Sequence, residues 1–189
     1  MATVLDSVRA LFAPVQTFAI AAENPADVVA RENLLDRAMG ADRRTKSSEK
    51  IRRNRVPAEG LALVARDGDG HVVGTVRLWN IEAGISPDGN PIEALLLGPL
   101  AVSADHEGKG IGGALMRAAI TEAHERGHGA VLLVGDAAYY ERFGFFANKT
   151  AHLVMPGPFQ RDRFLALELK AGWLDGAAGM IVASGRKLA

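Results

Sequence analysis

The chain has 189 residues, 48% of them hydrophobic, which is enough for one well-filled core and short for two. Its 22 basic side chains balance 22 acidic ones, so net charge gives no pull toward nucleic acid or an anionic membrane surface. Cysteine is absent, which excludes a disulfide framework, thiolate metal sites and an acyl group parked on a protein thiol.

In chain order, "VRALFAPVQTFAIAAEN" is not expected to be a secretory leader, because Pro14, Gln16 and Thr17 interrupt its apolar run and Asp6 precedes it. No stretch has the length of a membrane span, and the chain is expected to be cytoplasmic. "VQTFAIAAEN" reads as a first strand. Pro25 then opens a helix that Gly40 stops, with Val28, Val29, Leu34, Leu35 and Ala38 predicted on one face. "ADRRTKSSEKIRRNR" holds a short helix for which Ser47 and Ser48 are candidate caps.

Beyond Pro57 the period changes to that of strands. Leu61 to Arg66 and Val72 to Ile81 are joined by Asp-Gly-Asp-Gly, a hairpin signal, and should be antiparallel. After the turn "GISPDGNP" comes a strand, Ile92 to Val102, that contains Gly98-Pro99. Proline cannot donate to a ladder, so that pair predicts a bulge or a place where two strands part. A helix from Ile111 to Gly127 or Gly129, a short buried strand "AVLLVG", a short helix "DAAYYERFG" and a late strand "RFLALELK" follow. The glycine-rich tail holds a final strand or edge segment, and its apolar run Met180 to Ala183 is a candidate for pairing with a second copy. The order is that of an α/β fold: a mixed central sheet, antiparallel meander plus one βαβ unit, flanked by helices.

The stretch "AVSADHEGKGIGGALM" carries the chemistry. Gly108, Gly110 and Gly113 satisfy GxGxxG, the dinucleotide fingerprint, with Asp136 after the next strand. Against that parse, "SADHE" separates Val102 from Gly108, and a hairpin lies upstream where parallel strands are needed. A second parse is Glu107-x-x-Gly110-x-Gly112, which resembles the QxxGxG or RxxGxG signature of the GNAT superfamily, the acetyl-coenzyme A dependent N-acetyltransferases. "YYERFGF", Tyr139 to Phe145, is similar to that family's "FYEKLGF" stretch. The resemblance runs in element order from Thr17 to Lys170, with its sharp motifs between Leu100 and Phe146.

The resemblance implies a GNAT-type acyl-CoA N-acyltransferase fold, with an N-terminal extension over 1–16, an acetyltransferase domain over 17–170 and a tail or edge strand over 171–189. It implies acetyl-CoA as co-substrate, touched by Leu100, Ala101 and Val102, by Glu107, Gly108, Lys109, Gly110, Ile111, Gly112 and Gly113, and by Tyr139 and Phe143. The pantetheine arm would enter a gap beside the backbone of Leu100 and Val102. Backbone N–H groups and a helix start suit a pyrophosphate, with Lys109 at the rim. Glu107 departs from the family pattern; its carboxylate is expected to point away while its backbone contributes.

Without a cysteine, the acetyl group is expected to pass directly to a primary amine of a small molecule or protein. Tyr140 is the implied acid for the departing thiolate; the competing reading is two tyrosines packed on the core with Phe143 and Phe145. Glu82, Glu93 or water are open as base. A non-catalytic acetyl-CoA sensor is the alternative from another class.

"HERGH", His124 to His128, satisfies the HExxH zinc pattern, but Gly127 and Gly129 end the helix that must hold both histidines, and no metal is expected. His106, in the loop, is a minor candidate for coenzyme contact. Arg43 to Arg55 carries seven Lys or Arg against one Glu. It reads either as a solvated helix face or as a border of the acceptor cleft favouring an acidic acceptor; without interleaved aromatics, nucleic acid is not expected.

Overall fold

The computed structural model describes residues 18–188, so the readings made on 1–16 and on Val15 to Thr17 lie outside the described residues. The elements run β1 (Phe18–Ala22), α1 (Val28–Met39), α2 (Ser47–Arg52), β2 (Ala62–Asp67), β3 (Val72–Ile85) and β4 (Pro91–Val102). They continue through α3 (Ile111–Glu125), β5 (Ala130–Val134), α4 (Ala137–Tyr140), β6 (Leu153–Val154), β7 (Phe164–Glu168) and β8 (Ala178–Ala183). The strands form one mixed sheet in the order β1-β2-β3-β4-β5-β7, with β8 joined to β3 and to β6. The β4-α3-β5 unit gives the parallel pair, and the β2-β3 hairpin is antiparallel as its turn chemistry predicts.

Alternation along the strands sends neighbouring residues to opposite faces. On one face Leu95, Leu97, Val131 and Leu133 meet Ile111, Leu115 and Ala119 of α3. On the other, Leu96 and Leu132 join Trp79, Ile81, Phe164 and Ile181. A smaller cluster sets Leu34 and Leu35 of α1 against Ala101, fixing α1 beside the strand that enters the glycine loop.

Three details differ from expectation. Val28 and Val29 of α1 are 40% and 72% exposed; the helix instead buries Arg31, whose guanidinium is ion-paired with Glu23 and Glu32. Leu34 and Leu35 of the predicted face stay buried, and Arg31 joins them with its charge paired. Neither Ser47 nor Ser48 caps α2: Lys46 occupies the N-cap, and the Ser47 hydroxyl donates to the Pro158 carbonyl. The run Met180 to Ala183 is paired within the chain. β3 is 14 residues long and uses Val72 to Arg77 on β2, which leaves Ile81 to Ile85 to take β8. β6 pairs with β8 at Gly179 and Met180.

Candidate active site

β4 ends at Val102, and the Ser103 N–H donates to the Val73 carbonyl at 2.8 Å. One 3-10 turn, Ala104–His106, brings the chain to Glu107 and the glycines. Gly110 is the N-cap of α3 with φ 79°, a left-handed conformation that lets the backbone turn into the helix without strain. No side chain caps this helix. Its first N–H groups have no intrahelical acceptor, so Ile111, Gly112 and Gly113 present donors at the positive end of the helix dipole.

Those donors face a cavity of about 480 Å³ lined by Val102, His106, Glu107, Gly108, Gly110 to Gly113, Arg117, Tyr139, Arg142 and Phe143. Lys109 is exposed and does not line it. Glu107 is exposed and borders both this cavity and a neighbouring one bounded by Arg37, Val72 and Asp105. His106 keeps Nδ1 buried with no hydrogen-bond partner among the described residues.

Along β4 from this cavity, the sheet opens. β4 and β5 pair only at Leu95 with Val131 and Leu96 with Leu132. Gly98-Pro99, a cis peptide, then diverts β4, and the β3 register slips between Val76 and Leu78. Trp79 Nε1 fixes the bulge by donating to the Gly98 carbonyl at 2.6 Å. Among the described residues, Leu97 to Val102 have no strand partner on the β5 side. A space of about 100 Å³ occupies that opening, lined by Leu97 to Leu100, Leu133, Val134 and Tyr140, with Arg43, Lys46 and Arg52 at its far side.

The adjacent tyrosines diverge, as residues about 100° apart on a helix must. Tyr139 turns to the glycine loop: a methyl group on Gly112 would lie 3.1 Å from its hydroxyl, and Arg142 stacks on its ring at 4.3 Å. Tyr140 turns into the opening. Its ring lies over Gly135, where a methyl group would come within 2.2 Å, so only glycine admits it. It packs edge-on to Phe145 at 6.1 Å and to Tyr139 at 4.9 Å. Burial, with a contribution from Tyr139, pushes the Tyr140 phenol up to about 12, so it stays protonated.

Beyond Pro99 lies a third cavity, of about 400 Å³, whose wall includes Arg43, Arg44, Arg52, Arg53, Arg55 and Arg77 with Glu32, Glu49 and Trp79. The basic segment is divided, with Arg44, Lys46, Lys50 and Arg53 exposed and Arg43, Arg52 and Arg55 turned inward. Arg43 is buried and bonded to Glu32 and Asp36, and Arg52 is 10% exposed beside Glu49. The candidate bases Glu82 and Glu93 pair with each other across β3 and β4. Glu82 lies four residues from Leu78, roughly 13 Å along the strand, and neither carboxylate lines the three cavities.

HExxH is broken by the helix end. α3 stops at Glu125, Gly127 has φ 79°, and the His128 N–H closes the turn on the Ala123 carbonyl, so His124 and His128 share no helical face. Among the described residues, Asp67, Asp69 and His71 in the hairpin turn are the one group of carboxylate and imidazole atoms close enough to share an ion. Asp67 Oδ1 there accepts the Asp69 and His71 N–H groups.

Residues 58–146 match the family model described as Acetyltransferase (GNAT) domain. The curated Escherichia coli protein YhbS, an uncharacterized N-acetyltransferase, is 28% identical over 162 residues, covering 86% of this chain and 93% of its own. The crystal structure of that protein in complex with CoA superposes with a TM-score of 0.73 over 90% of this chain and 92% of that one. Over most of its length the chain is thus similar to GNAT acetyltransferases, with the family's domain model matched across its central part. A GNAT acetyltransferase from Brucella melitensis, solved in complex with acetyl-CoA, is 26% identical and gives a TM-score of 0.59 over 80% of this chain and 96% of its own.

The structure adds candidate site residues, lining these cavities, that sequence reading missed. Arg117 lies one helical turn beyond Gly113 and directly follows the glycine-loop stretch. Arg142 had no signal apart from standing two residues after Tyr140. Arg77 and Trp79 reach the third cavity from β3, and only the fold brings them to α2.

Proposed function

We propose that this GNAT domain transfers an acetyl group directly from acetyl-CoA to a primary amine. The observation that carries the reading is the opening of β4 from β5, with the glycine loop at one end and a protonated tyrosine at the other. The crystal structures of E. coli YhbS with CoA and of the B. melitensis enzyme with acetyl-CoA support the donor.

In this reading the N–H groups of Gly108 to Gly113 take the pyrophosphate, and Arg117 and Arg142 add positive charge where Lys109 does not reach. Tyr139 and Phe143 wall the arm, and the free β4 edge at Leu100, Ala101 and Val102 hydrogen-bonds the pantetheine amides as a missing strand would. A β4 N–H supports the oxyanion. The amine nitrogen attacks the thioester carbonyl; the C–N bond forms, the tetrahedral intermediate collapses and the C–S bond breaks. Tyr140 protonates the departing thiolate, the amine gives up its proton to solvent and solvent returns one to Tyr140, so the products are an N-acetyl amine and free coenzyme thiol.

The test is acceptor-dependent thiol release from acetyl-CoA with a panel of amines, beside calorimetric binding of the coenzyme. Thiol release that needs an amine and falls in Tyr140→Phe is expected. Tight binding without it, unchanged by Tyr140→Phe, is the behaviour of an acetyl-CoA sensor; binding of a nicotinamide dinucleotide in place of acetyl-CoA would overturn both.

A further inference from the structure

We propose that the acceptor is a small-molecule amine carrying a carboxylate or phosphate, held by Arg52 and Arg77 in the cavity beside Pro99. The inference rests on the acetyl-transfer reading for the direction of the amine and adds which amine it is.

The wall of that cavity has six guanidinium groups and two carboxylates. Arg43 is satisfied by Glu32 and Asp36, and Arg55 donates to the Gly185 carbonyl. Arg44 and Arg53 are exposed to water. Arg52 and Arg77 differ. Arg52 is 10% exposed, touches one carboxylate, Glu49, at 3.2 Å, and keeps Nε buried without a hydrogen-bond partner among the described residues. Arg77 is 15% exposed, and its Nε, 3.4 Å from Glu23 Oε2, is equally unpartnered. Its guanidinium lies 4.9 Å over the Trp79 ring. Burial pulls both below the usual arginine range, Arg77 to about 10.

Two buried cations with incomplete hydrogen bonding are unfavourable alone, and an oxyanion offers the matching partner: a guanidinium fork fits a carboxylate or phosphate. The coenzyme's pyrophosphate does not compete in this assignment, because the glycine-loop cavity shares no lining residue with this one. Arg43, Arg52 and Pro99 line both the arginine cavity and the opening that holds Tyr140. An anion on the arginines therefore leaves an amine on the same molecule directed at the thioester. A volume of about 400 Å³ is that of a small-molecule site.

Calorimetry on protein saturated with CoA, using the matched pairs β-alanine and β-alaninamide, phosphoethanolamine and ethanolamine, tests this without requiring turnover. The anionic member of at least one pair should bind about tenfold tighter, as charge-assisted bonds imply, and the pair that shows it names the anion. Arg52→Gln and Arg77→Gln should each shrink the preference to about twofold while CoA affinity, the control for folding, is kept. Equal binding within both pairs in the unsubstituted protein would overturn the proposal, even where a variant fails to fold; so would a preference that survives both substitutions, or acetylation of proteins alone. An anion preference without thiol release from acetyl-CoA would support the subsite and contradict acetyl transfer. Thiol release from neutral and anionic amines alike would do the reverse.

Discussion

In the proposed transfer, Tyr140 is the acid for the departing thiolate. Its ring needs Gly135 beneath it, and burial keeps its phenol protonated at neutral pH. Tyr140→Phe should lower kcat about 100-fold, the usual scale of a lost general acid, with coenzyme affinity changed less than about twofold. The chain has two tyrosines, so a phenolate absorbance titration is readable. The wild-type protein should show a late step near pH 12 that Tyr140→Phe removes. The sign agrees with burial: the folded pKa is raised, so its contribution to stability is complete below pH 10 and is lost as pH rises toward 12. Glu107 is the second residue to change. Its carboxylate borders the anion cavity, and Glu107→Gln should tighten coenzyme binding a few-fold at low salt, with a smaller gain at high salt. Weaker binding would mean that the carboxylate organises the loop.

At the scale of elements, the β4 opening and α1 carry the site. Gly98-Pro99 was legible as an interruption, because its effect on a ladder is local chemistry. The glycine loop was legible for the same reason. The rotation of α1 was not, since Arg31 is buried only because Glu23, at the end of β1, comes to meet it. Carboxylates also tie α1 down. Asp27 is buried, which alone would raise its pKa, but the Asn24 N–H and Arg66 outweigh this and hold it below its ordinary value; Arg43 does the same for Asp36. With folded pKa values depressed, their stabilisation is present above about pH 4 and is lost as pH falls through the folded values. Melting temperature should fall in that acid range, and Asp27→Asn should lower stability at pH 7 while reducing its acid dependence.

Over the whole molecule, β3 is the spine. It meets β4 along one edge and shares the other between β2 and β8, which brings the C-terminal strand into the same sheet. Ile181 of β8 is fully buried in the cluster that contains Trp79 and Leu96. Ile181→Ala should cost about 2–5 kcal/mol in denaturant unfolding, the scale of a buried aliphatic truncation. A near-zero effect would mean that β8 adds little to the fold. Element order was readable from period changes and turns along the chain. The arginine cavity was not, because Arg52 and Arg77 come from different elements and their buried, unbonded Nε atoms arise only after folding.

In the proposed reaction the acetyl group crosses from coenzyme to amine in one step inside the β4 opening. Mass spectrometry of protein and small molecules after incubation with isotopically labelled acetyl-CoA tests it most directly. The account predicts labelled N-acetyl product that forms only with amine present, and protein of unchanged mass. Label on the protein before any amine is added, or thiol release that yields only free acetate, would contradict it.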